Sequence, residues 1–193
     1  MYTPDPSYQL FSILSPASDA HIQRYKSLRL LVLRINPGSF VSQYNRERLL
    51  TDEQWRERLD IPHKVTIAAA KVDANGEWAG MLSLLSPESS NLSEYTSAEM
   101  LGSRSFVVVS VCIHPGHWGR GVGRLLIEGA ISWVREWDGG GGGGGNGGGD
   151  GQRKLVLKVL KASVGALVFY TKLGFRAVEA INDENCVLMY LNV

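Results

Sequence analysis

Apolar positions along the chain recur with two periods, and the switches between them predict its elements. Tyr8 to Leu14 alternates well enough to be a first strand, closed by Ser15-Pro16. Ser18 or Asp19 can cap a helix to about Ile35, stopped by Pro37-Gly38. Leu28, Leu30, Leu31, Val32 and Leu33 lie on several of its sides, which predicts a largely buried helix. Phe40 to Leu50 is less regular and reads as a loop with some helix. Thr51-Asp52-Glu53-Gln54 resembles a capping box opening a short helix with Trp55 and Leu59 inward. Lys64 to Val72 and Trp78 to Leu85 form a hairpin about Asp73-Ala74-Asn75-Gly76, since Asn-Gly between apolar runs is a strong local hairpin signal. Ser86 to Arg104 is polar and long for a connection, the mark of a functional or mobile loop.

A β-branched run, Phe106 to Ile113, predicts a central strand ended by Pro115-Gly116. The helix beyond it carries Val122, Leu125, Leu126, Gly129, Trp133 and Trp137 on its apolar side. Asp138 to Gly151 is nearly all glycine, broken by Asn146 and Asp150. It predicts a flexible loop insertion over residues 139–151 rather than a boundary, because the apolar strand Lys154 to Leu160 beyond it needs a sheet to join. The whole chain, 1–193, therefore reads as one domain. Lys161 to Phe175 is a helix with Gly174 as its left-handed stop, and Arg176 to Ala180 with Cys186 to Leu191 form a last hairpin about Asn182-Asp183-Glu184-Asn185.

Composition narrows the function classes. A net charge of +1 offers no basic excess for a nucleic-acid partner. No apolar run reaches the length of a membrane span, and MYTPDPSYQL lacks the order of a signal peptide. Cys112 and Cys186 both sit in apolar strand-like runs, which predicts reduced, buried thiols in an intracellular protein rather than a disulfide.

The candidate chemistry lies where the central strand turns into its helix. Gly119-Arg120-Gly121-Val122-Gly123 at a helix start lets the backbone approach a ligand, and the free N–H groups there attract phosphate oxygens, so the segment predicts a diphosphate cradle. A glycine-rich turn with no ligand is the alternative. No Walker A string G-x-x-x-x-G-K-[ST] exists in the chain. The dinucleotide fingerprint G-x-G-x-x-G also fails, because Arg124 and Leu126 stand where its third glycine would have to be.

Trp118-Gly119-Arg120-Gly121-Val122-Gly123 resembles the [Q/R]-x-x-G-x-[G/A] loop with which GNAT N-acetyltransferases bind the pyrophosphate of acetyl-CoA, although Trp118 replaces the usual Gln or Arg. FYTKLGF, Phe169 to Phe175, resembles the family's segment after the fifth strand, and the two signals stand in the family's order. The resemblance implies an α/β GNAT fold: a mixed, mostly antiparallel central sheet, splayed between strands 4 and 5 and flanked by helices. It implies that the backbone of Val111, Cys112 and Ile113 pairs with pantetheine. The loop Trp118, Gly119, Arg120, Gly121, Val122, Gly123 and Arg124 would take the pyrophosphate. Acetyl-CoA would be the co-substrate, with no metal. The acceptor would be an amine on a small molecule, a peptide N-terminus or a lysine side chain. A homodimer is left open, and the protein would be cytoplasmic, with the nucleus open.

Tyr170 matches the family's tyrosine beside the thioester sulfur. A phenol, with a pKa of about 10, can protonate a departing thiolate. The other reading of Tyr170 is a core ring with a hydrogen-bonded hydroxyl. Ser163 stands where many members have an Asn toward pantetheine, and it is equally a standard N-cap for the helix that follows. The general base is not legible, because Phe106 to Ile113 contains no Asp or Glu. Glu94, Glu99, His114 or a water chain are candidates, with both glutamates also readable as solvated charges and His114 and His117 as turn residues. The same gap admits a non-catalytic acyl-CoA-binding module.

Overall fold

The computed structural model describes residues 7–13, 15–72, 76–90, 92, 104–138, 152–178 and 184–193. Leu14, turn residues 73–75, Glu94, Glu99, the glycine run 139–151 and residues 179–183 lie outside them. Strands are β1 (Tyr8–Ile13), β2 (Lys64–Lys71), β3 (Trp78–Leu85), β4 (Ser105–Ile113), β5 (Lys154–Leu160), β6 (Arg176–Ala177) and β7 (Cys186–Asn192). Helices are α1 (Asp19–Ile35), α2 (Tyr44–Glu47), α3 (Asp52–Leu59), α4 (Val122–Glu136) and α5 (Val164–Lys172). Among the described residues no helix is long and apolar enough to cross a membrane.

Local signals set the helix starts. The Ser18 hydroxyl accepts from the His21 N–H at 3.3 Å, so Ser18 rather than Asp19 caps α1. At α3 the capping box is complete: Gln54 N–H donates to the Thr51 hydroxyl, and the Gln54 side chain accepts from the Thr51 N–H. The irregular stretch after α1 holds a 3₁₀ turn, Pro37–Ser39, and α2. The last helix is shorter than its apolar run, and Gly174 ends it at φ +95°, the left-handed conformation expected of a stop.

The strands form one mixed sheet in the order β1-β2-β3-β4-β5-β7-β6. Neighbours run antiparallel except β4 and β5, which are parallel. α4 packs Val122, Leu126, Ile127, Ala130 and Val134 on one face, with Tyr170 and Phe175 in the same core. α1 and α3 cover the other face with Ile22, Tyr25, Leu28, Val32, Trp55 and Leu59. α1 is thus buried along one broad face, with Leu30 and Leu31 half-buried beside it. Cys112 and Cys186 are both buried and not joined in a disulfide, as their apolar settings predict.

One irregularity in β4 redirects the strand. Ser83 pairs with Val109 but Met81 pairs with Cys112, which leaves Leu82 opposite both Ser110 and Val111. Ser110 takes the bulge in the left-handed region, φ +56°. The extra residue inverts the alternation. Phe106 and Val108 face the α4 core, and so do Val111 and Ile113, whereas Cys112 joins the α1 core. Without the bulge, Cys112 would share a face with Phe106.

The close approach of β3 to this strand has a testable consequence. A Cβ on Gly80 would meet Ile113 Cδ1 and Val122 Cγ1 at 2.9 Å and the Cys112 carbonyl oxygen at 3.0 Å. A Cβ on Gly129 would meet Leu10 Cδ1 at 2.6 Å, the free end of a flexible side chain. Gly80→Ala should therefore cost about 1–3 kcal/mol by overpacking. Gly129→Ala should cost much less, since about 1 kcal/mol of helix propensity offsets the displaced leucine. Urea denaturation of both variants checks the order, and equal losses would contradict it.

Candidate active site

The site begins where β4 and β5 part. They pair only at Ser105–Lys154, Phe106–Leu155 and Val107–Val156. Beyond that point β4 continues beside β3 and β5 beside β7. A cavity of about 1830 Å³ fills the gap, lined by Val107 to Val111 and Ile113 of β4, by Leu157 to Leu160 of β5, by the loop into α4 and by α5. It extends past the sheet to Tyr25, Arg29 and Val32 of α1. Cys112 lies behind this wall, fully buried.

The loop lies along the cavity's α4 side. Gly119 and Gly121 take φ +72° and +80°, conformations that cost a residue with a Cβ. Gly121 is the N-cap of α4 and offers no side-chain cap to the N–H groups of the helix's first turn. Trp118, half-exposed at 52%, donates its indole N–H to the Ile113 carbonyl at 3.1 Å. Its ring thereby caps the end of β4 on the cavity wall. Gly123 has a second reason to lack a side chain, because its Cβ would sit 3.0 Å from Phe169 Cζ.

From α5, Tyr170 enters the cavity wall, 7% exposed, with edge contacts to Phe169 and Phe175 at centroid distances of 5.1 and 5.4 Å. Burial pushes its hydroxyl well above the usual phenol range, with the Cys112 thiol adding to the effect, so it holds its proton at neutral pH. Ser163 occupies the N-cap position, but its side chain makes no capping bond. The hydroxyl lies instead 3.5 Å from the Gly38 carbonyl on the opposite wall. The capping reading of its side chain is therefore corrected: residue 163, at φ −86° and ψ 62°, departs from the extended backbone seen at Ser18 and Thr51.

The acetyltransferase (GNAT) family model matches residues 30–142, more than half of the chain. The protein belongs to the GNAT acetyltransferase family. Solved structures agree on the fold. The GNAT domain of S. lividans PAT superposes with a TM-score of 0.67 at 16% identity, covering 96% of this chain and 90% of that one. Spermidine N-acetyltransferase from Vibrio cholerae, in complex with CoA and spermine, gives 0.65 at 14%, covering 97% and 96%. Arabidopsis thaliana NAA60 in complex with acetyl-CoA gives 0.58 at 14%, covering 96% and 98%. No curated protein matches by sequence.

In this GNAT fold the end of the cavity toward α1 is polar; the family resemblance implies an acceptor site built from the first two helices and the last hairpin, but the sequence named none of the residues that make this end polar. Arg29, 5% exposed, donates Nε to Glu47 Oε2 at 2.7 Å and Nη2 to Glu47 Oε1 at 2.8 Å. Nη2 also reaches the Ser42 hydroxyl at 2.9 Å. Arg58 shares Glu47 Oε1 at 3.0 Å. Burial works against the Glu47 charge, but hydrogen bonds and the field of Arg29, then of Arg58, win and hold its carboxyl below the ordinary range. Lys64, which donates to the Arg58 carbonyl oxygen, is lowered to about 7 by burial first and then by Arg29 and Arg58. One signal for this cluster was visible: Arg29 falls on the apolar face of α1, between Tyr25 and Val32.

The two turn histidines lie at the other end of β4. His114 Nδ1 accepts from the Gly116 N–H at 3.1 Å, which is a turn role. His117 is buried, with Nδ1 2.8 Å from the Tyr8 hydroxyl, and burial followed by the His114 charge lowers its pKa. Glu77, His114 and His117 bring ligating atoms within 4.8 Å of one another, a grouping that the sequence reading, expecting no metal, did not anticipate. Because His114 Nδ1 is the acceptor, the neutral ring carries its proton on Nε2, the nitrogen facing Glu77 at 3.8 Å, which suits the carboxylate better than a cation.

Two expectations follow. Glu47→Gln leaves the buried Arg29 charge uncompensated and should cost about 3–5 kcal/mol, read by urea denaturation. Because the folded pKa of Glu47 is depressed, its contribution is present above the unfolded value and lost as pH falls through the folded one; a wild-type stability that stays flat on acidification in that range would contradict it. At the loop, Gly121→Asn should keep acetyl-CoA binding, since Asn tolerates the left-handed conformation. Gly121→Glu should abolish it in calorimetry, and equal affinities would remove the loop from the binding site.

Proposed function

We propose that the protein is an acetyl-CoA-dependent N-acetyltransferase, moving acetyl to a primary amine by direct attack in a ternary complex, with Tyr170 as the acid. The observation that carries this reading is one continuous cavity, which joins the glycine loop and Tyr170 to the polar pocket at α1 through the gap between β4 and β5. Its features fit the co-substrate. The N–H groups of the first turn of α4, with Arg120 and Arg124 nearby, suit a diphosphate. From Val108 onward β4 has no strand partner on its β5 side, which leaves the backbone of Val111, Cys112 and Ile113, apart from the Ile113 carbonyl that accepts from Trp118, for an amide-bearing arm. Ser163, on the facing wall, offers a hydroxyl to the same arm.

When bound, acetyl-CoA supplies the activated acetyl thioester. The chain's own contribution is to orient the two substrates in the gap and to hold a proton on the Tyr170 hydroxyl for the departing sulfur. Among the described residues no carboxylate lines the cavity, so no carboxylate of the wall takes the amine's proton. The same absence supports a second reading, a module that binds acyl-CoA without turnover. Following CoA release across an amine panel separates the two, because the binding module releases none.

Tyr170→Phe keeps the ring and removes one oxygen. It should lower kcat by about 10²–10⁴-fold and leave the KM for acetyl-CoA near wild type. A fall in melting temperature that accounts for the lost activity would point to a structural hydroxyl instead. Unchanged turnover, with chemistry limiting, would remove Tyr170 from the mechanism.

A further inference from the structure

We infer that the α1 end of the cavity receives an acceptor amine that also carries a carboxylate, as an amino acid or an acidic peptide does. This rests on the transferase reading above and names its substrate class. Among the described residues the cavity wall includes Arg29, Arg58, Lys64, Arg124, Lys158 and Lys172 and no Asp or Glu. Arg124 belongs to the diphosphate loop, whereas Arg29, Arg58 and Lys64 surround the α1 end, with Ser39 and Ser42 beside them.

The charges at that end do not balance. Glu47 is the carboxylate paired with both Arg29 and Arg58, so two guanidinium groups share one negative charge. Arg29 Nη1 is buried with no hydrogen-bond partner. Such a donor is costly to leave unmade; with Nε and Nη2 taken by Glu47 and Ser42, Nη1 is the atom of Arg29 left to make a charge-assisted hydrogen bond to a carboxylate. The groups acting on Lys64 are Arg29 from α1, Arg58 from α3 and Asp60 at the end of α3. Asp60 favours its charged form, but it already accepts from the Ala17 N–H, and the two arginines outweigh it. Burial first, and then the two arginines, lower the lysine's pKa to about 7. A carboxylate entering this end would favour the charged form of Lys64, whereas a polyamine would meet two guanidinium groups.

The test uses the full chain and two readouts. The first is CoA release from acetyl-CoA with glycine, β-alanine, 4-aminobutyrate and a Gly-Asp dipeptide, each against its amide, with spermidine and an aminoalkyl phosphonate as further arms. The second is calorimetric binding of the same compounds to the protein saturated with CoA. At least one acid should exceed its amide by about tenfold or more in kcat/KM and in affinity. That affinity should weaken as pH rises above about 7, where Lys64 loses its proton. Lys64→Met and Arg58→Met should each erase most of the preference through the acceptor KM and leave the KM for acetyl-CoA unchanged. Amides or spermidine used as well as the acids would overturn the inference, and a phosphonate preferred to every carboxylate would overturn its carboxylate assignment. If no amine is turned over, the transferase reading falls. The inference then stands or falls on whether the CoA complex binds an acid over its amide in a Lys64-dependent way.

Discussion

A parallel pair of strands that stays together for only three residues governs this molecule. β4 is held along one side by β3 and β5 along one side by β7, so each can leave the other without losing all its backbone partners. A buried backbone polar group without a partner is costly, and an open strand edge inside a fold therefore calls for an occupant. The bulge at Ser110 adds twist to β4 where the gap has opened, and it turns Val111 and Ile113 to the α4 side while Cys112 anchors the strand in the opposite core. Cavity, loop and tyrosine all take their positions from that divergence.

The two ends of the cavity attract charge by different means. At the α4 end the attraction is mainly dipolar, from a helix start whose cap is a glycine without a side chain. At the α1 end it is ionic, from guanidinium groups sharing one buried carboxylate. The first arrangement needs only local backbone geometry. The second needs three helices to converge, since Arg29, Glu47 and Arg58 come from α1, α2 and α3. Arg29 and Glu47 hold each other through two hydrogen bonds, although Arg29 Nη1 stays without a partner.

Much of this was legible in the residues alone. Alternation, capping boxes and glycine stops are encoded within a few positions, so the seven strands, the capped helices and the glycine loop could be read before any coordinates, and a family resemblance gave their assembly. Boundaries shifted where a local preference met tertiary packing, as in α5, which is shorter than its apolar run, and in Ser163, whose hydroxyl faces Gly38 instead of capping its own helix.

What the chain alone determined was therefore whatever depends on neighbours in sequence: periodicity, caps, and a Gly119 and Gly121 able to take left-handed dihedrals. What only the tertiary structure decided depends on residues far apart meeting in space. The bulge at Ser110 is invisible in a uniform β-branched run, because either parity buries an apolar side chain. Arg29 and Glu47 stand 18 positions apart and acquire their meaning from a bond made after α1 and α2 pack. Lys64 reads as an ordinary strand lysine until burial takes it from solvent and two arginines repel its charge. Desolvation is a property of the fold, and no window along the sequence contains it.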